Sequence, residues 1–94
     1  MLLPQLVGRA VVSSSSCSHV VRAVITLDPS ARFVEDLDIH CPGCRKVYDH
    51  AREWKDDLVH APFSRLQKRI DAPAVNSCDA IIKKSILYAV DDCL

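Results

Sequence analysis

The chain has 94 residues, room for one small domain. Its 49% hydrophobic and 26% charged residues exclude an intrinsically disordered chain, and twelve basic against twelve acidic residues leave no net charge for coating nucleic acid. Two glycines are too few for a Gly-rich phosphate loop, and two Phe, two Tyr and one Trp are too few for a base-stacking platform.

Residues 1–27 hold Arg9 and Arg22, no acidic residue, and serines at 13–16 and 18. Arginine and serine without acid is the composition of a mitochondrial targeting segment, a cationic peptide drawn inward by a matrix-negative potential. Arg9 and the serines interrupt the apolar run, which argues against a secretory signal and against a span of about 20 apolar residues. Residues 20–27 are rich in β-branched side chains, but a lone strand needs a partner. The expected organisation is an extended N-terminal arm, 1–27, and a small helical domain, 28–94.

Within that domain, Asp28-Pro29 reads as a helix start, and Phe33, Val34 and Leu37 recur at helical spacing up to the Pro42-Gly43 turn. The next helix, 45–60, places Val47, Ala51, Trp54 and Leu58 on one face. Pro62 opens a short third helix with Phe63, Leu66 and Ile70 on one side and Arg65, Lys68 and Arg69 on the other. A last helix, 77–93, carries a stripe of Cys78, Ile82, Ile86, Ala89 and Cys93, widened by Ile81 and Val90. The fold class expected from these elements is all-α: an antiparallel helical hairpin of 45–60 and 77–93, two shorter helices and the arm.

In an antiparallel register, Trp54 faces Ile82, Val47 faces Ala89 and Leu58 faces Cys78. Cys44 then stands beside Cys93. A Cys44–Cys93 disulfide, or Cys41–Cys93 as the alternative, would close a loop of about 50 residues and stabilise the hairpin by about 2–4 kcal/mol. Such a bond needs an oxidising compartment, such as the mitochondrial intermembrane space.

The same cysteines support other chemistry. Cys41-Pro-Gly-Cys44 has the spacing of half a zinc ribbon, which it resembles, and Cys41, Cys44, His50 and Cys78 form a possible zinc ligand set. C-x-x-C ahead of a helix also resembles a thioredoxin-like dithiol, although that fold needs a parallel βαβ unit. Ser13–Ser16 has no His/Asp arrangement for nucleophilic catalysis. Asp91 and Asp92 oppose the helix dipole in the last turn, a local cost that points to a basic partner. Arg65, Lys68 and Arg69 form a second candidate contact face.

Asp28-Pro29, Cys44 and the Cys78-x₁₄-Cys93 pair resemble the hinge-subunit family of ubiquinol–cytochrome c reductase. That resemblance implies a non-catalytic accessory subunit of a mitochondrial respiratory-chain complex. The expected protein braces neighbouring subunits at the inner-membrane periphery, on the intermembrane-space side. It has no cofactor, no small-molecule substrate, no direct nucleic-acid contact and no transmembrane span. The alternatives are a small zinc-binding or RNA-contacting subunit of a mitochondrial ribosome and, third, a C-x-x-C thiol–disulfide oxidoreductase.

Overall fold

The computed structural model describes residues 4–14, 17–41, 45–74 and 77–94. Strand β1 (Leu6–Ser14), β2 (Cys17–Leu27) and β3 (Val34–His40) precede helices α1 (Arg45–Leu58), α2 (Phe63–Asp71) and α3 (Ser77–Cys93). The strands form one antiparallel sheet in the order β1-β2-β3. The protein is therefore α+β, and the all-α expectation is wrong.

The error in secondary structure lies before residue 41. Residues expected to form an extended arm make the β1–β2 hairpin, so β2 does have a partner, with Gly8 opposite Ile25 and Val12 opposite Val21. On β2, Val21, Ala23, Ile25 and Leu27 alternate inward and are buried. The stretch expected as a helix over 29–40 is a turn followed by β3. A β-bulge explains why it looked helical: Thr26 pairs with Asp36 but Leu27 with Val34, which leaves Glu35 extra. Buried Val34 and Leu37 thus sit three residues apart, and the period-2 signature is lost.

Asp28 organises the β2–β3 turn and does not cap a helix. Its carboxylate accepts the backbone N–H groups of Arg32 (2.6 Å) and Phe33 (2.8 Å), and the Ser30 hydroxyl. These bonds hold Ala31 at φ 58°, a left-handed conformation costly for a residue with a Cβ. Hydrogen bonds from Ser30 and from the backbone of Phe33 and Arg32 lower the Asp28 pKa to about 2.

The helices fall where the 3.6-residue period puts them. Ala51, Trp54 and Leu58 of α1, Leu66 of α2, and Ile82, Ile86, Ala89 and Val90 of α3 join the sheet's inner face in one core. The Val47 side chain lies outside the described residues. Helix α3 lies over β1 and β2, and α1 over β3. Gly8 allows α3 to approach: a Cβ there would stand 1.8 Å from the Ala89 carbonyl oxygen. Asp57 joins α2 to α1 by accepting hydrogen bonds from Arg65 Nε (3.0 Å) and Arg69 Nη1 (2.7 Å), and the Arg69 guanidinium lies 4.4 Å from the Trp54 ring centroid.

Candidate functional site at the cysteine-bearing end

Helices α1 and α3 both start at the same end of the sheet. Helix α1 follows β3 directly and finishes beside the start of that strand, where the His60 N–H donates to the Val34 carbonyl (2.7 Å) and the Val34 N–H to the Ala61 carbonyl (2.9 Å). Helix α3 finishes at that same lower end. Its Ala89 and Cys93 press on Gly8, and Leu94 shares a cleft with Phe63, whose N–H donates to Arg32 in the β2–β3 turn. The expected antiparallel hairpin is thus corrected to two helices running the same way, with α2 carrying the chain back between them.

This direction separates the cysteines. Cys41 comes directly after β3 and packs half-buried against the core. Cys78, in the first turn of α3, does the same. Cys17 starts β2 opposite Ser14, five residues before Arg22, which faces His40 at the end of β3, so it stands about 16 Å of strand beyond that end. Cys44 lies outside the described residues and precedes Arg45, the first residue of α1, in the sequence. Cys93 sits about 22 Å of helix away from Cys78.

Cys41, Cys78 and Cys93 are all unoxidised thiols. The alternative Cys41–Cys93 tie is not made, because parallel helices put those residues at opposite ends. The partner in the first pairing, Cys44, is among the residues not described. The Cys93 thiol donates to the Val90 carbonyl at 3.4 Å, and burial together with the charge of Asp92 pushes its pKa up. It behaves as a small core side chain.

Two helix N-termini facing the cysteine end favour negative charge there, as thiolates or an anionic metal–thiolate centre carry. His50 is half-buried on α1. Among the described residues, no group of three or more His, Cys, Asp or Glu side chains is gathered closely enough to hold a metal. The described members of the zinc set, Cys41 after β3, His50 on α1 and Cys78 on α3, do not form such a group. Trp54 Nε1 donates to Asp79 Oδ1 at 2.8 Å, which fixes α1 against the first turn of α3 beside Cys78.

The candidate partner faces divide on inspection. Asp92 accepts the Arg9 backbone N–H at 3.0 Å, whereas Asp91 is exposed. Arg65 and Arg69 turn to Asp57, and Lys68 is exposed. Cys41-Pro-Gly-Cys44 follows a strand of an antiparallel meander, without the parallel unit that a thioredoxin-like dithiol requires. No helix among the described residues is long and apolar enough to cross a membrane.

Sequence reasoning missed the Arg9–Asp92 contact and the open face of the sheet. The sequence signalled neither, because Val7 and Val11 on the open face are as apolar as Ala10 and Val12 on the covered one. No family model matches this chain, and no curated protein is similar to it.

Proposed function

We propose that this protein is a non-catalytic metal-binding module whose thiolates hold a thiophilic metal at the end of the sheet where α1 and α3 begin. The observation that supports this reading is the separation of the cysteines: Cys41 follows the end of β3, Cys78 lies in the first turn of α3 at that same end of the sheet, and Cys44 is three positions from Cys41 in the sequence, while Cys93 packs at the other end. Sulfur-rich ligand sets select zinc or the iron of an iron–sulfur centre over magnesium or calcium. Cys41, Cys44, His50 and Cys78 are the proposed ligands, and metal binding has to draw Cys41, His50 and Cys78 closer together than they stand without it. Cobalt(II) titration under reducing conditions tests it: intense sulfur-to-cobalt absorption is expected, and a spectrum like that of aqueous cobalt would refute the site.

A second reading, the accessory subunit of a mitochondrial inner-membrane assembly, gains support from the uncovered sheet face. Val7, Val11 and Val20 stand exposed there, with Val11 at 65%. Purification from source tests it, since a stably bound set of mitochondrial partners is expected and a lone chain argues against it.

A further inference from the structure

We propose that the cleft between α2 and α3 is a docking groove for a basic amphipathic helix of a partner protein. The cleft has a volume of about 320 Å³. Phe63 and Ile70 line one wall, and Leu87 and Leu94 line the other. Leu87 is 40% and Leu94 66% exposed, so the apolar wall is open to solvent.

Its charge selects the occupant. Asp71 closes α2, and Asp91 lies in the last turn of α3; both border the cleft. Each stands at a helix C-terminus, where the backbone dipole already contributes negative charge. Asp57, Asp79 and Asp92 are engaged by other parts of the chain. Asp71 and Asp91 accept no hydrogen bond and make no ion pair among the described residues. The last turn of α3 has no basic residue. In the last turn of α2, Arg69 is committed to Asp57 and Trp54, and the exposed Lys68, one turn from Asp71, makes no ion pair with it among the described residues. Because α2 and α3 run antiparallel, basic side chains arriving from outside would meet one carboxylate towards each end of the cleft, Asp71 and Asp91, while apolar side chains one turn apart on the same partner helix would fill the floor. The groove is independent of the cysteine end, because it lies at the opposite end of α3.

The probe is a synthetic helical peptide with leucines at i, i+4 and i+7 flanked by lysines, compared with the same leucines flanked by glutamates. Binding is followed by NMR shifts of Phe63, Ile70, Leu87 and Leu94. The lysine peptide is expected to shift these signals and to bind about tenfold or more tightly than the glutamate peptide. In the Asp71→Lys/Asp91→Lys variant the preference is expected to reverse, with Trp54 fluorescence reporting an unchanged fold. Equal affinity for the two peptides, shifts elsewhere on the surface, or self-association through the cleft would overturn the proposal. So would binding of a small organic ammonium ion alone with no peptide bound.

Discussion

The backbone N–H of Arg9 donates to the Asp92 carboxylate at 3.0 Å, tying edge strand β1 to the last turn of the final helix. This bond accounts for an acidic residue at a helix C-terminus, where the dipole disfavours it. An edge strand carries outward amides that invite another chain, and Asp92 occupies one of them. On the other edge, Asp36 does the same for the Leu37 N–H at 2.9 Å.

Asp92→Ala is expected to destabilise the fold by about 0.5–1 kcal/mol, the net worth of a partly exposed hydrogen bond. Urea denaturation followed by the fluorescence of Trp54, the chain's one tryptophan, measures it. A midpoint equal to wild type would mean the bond contributes nothing.

Gly8→Ala should cost more. The added methyl would collide with the backbone carbonyl of Ala89, which cannot rotate away as a side chain can. Overpacking of this kind costs about 1–3 kcal/mol. The same denaturation assay checks it, and an unchanged midpoint would show that α3 lies farther from β1.

Helices α1 to α3 were legible because each presents a clean apolar stripe, such as Ala51, Trp54 and Leu58. The sheet was not, for two separate reasons. The bulge at Glu35 put Val34 and Leu37 at helical spacing, and the small inward residues Gly8 and Ala10 left β1 without an alternating apolar signal. Helix direction was misread although the intervening helix was expected: α2 itself runs antiparallel to α1, and a second reversal leaves α3 parallel to α1. The cysteine ligand set was legible as residues. The placing of Cys78 and Cys93 at opposite ends was not, because that depends on the direction of α3.

Acid should weaken the protein through two carboxylates. Asp28, held at about 2 by its hydrogen bonds, and Asp57, lowered by Arg65 and Arg69, both titrate below their unfolded values near 4. A depressed folded pKa gives stability that is present above the unfolded value and lost as pH falls toward the folded one. Stability is therefore expected to drop between pH 4 and 2. Asp28→Ala should flatten that drop, as measured by thermal unfolding across the range, and a slope identical to wild type would contradict the turn's role.

Trp54→Phe removes the donor to Asp79 while keeping most of a fully buried ring. The expected loss is about 1–2 kcal/mol, combining the hydrogen bond with lost packing against Arg69. Circular dichroism melting reads this variant, which lacks the fluorophore. A melting temperature within error of wild type would mean that the α1–α3 contact beside Cys78 is not held by this bond.

The most direct test of the metal-binding account is the metal content of protein purified without oxygen, measured beside single Cys→Ser variants at 41, 44, 78 and 93. The account predicts bound zinc, or iron with sulfide, that falls sharply in the 41, 44 and 78 variants and persists in Cys93→Ser. Metal-free wild-type protein, or a loss in Cys93→Ser as large as in the other three, would contradict it.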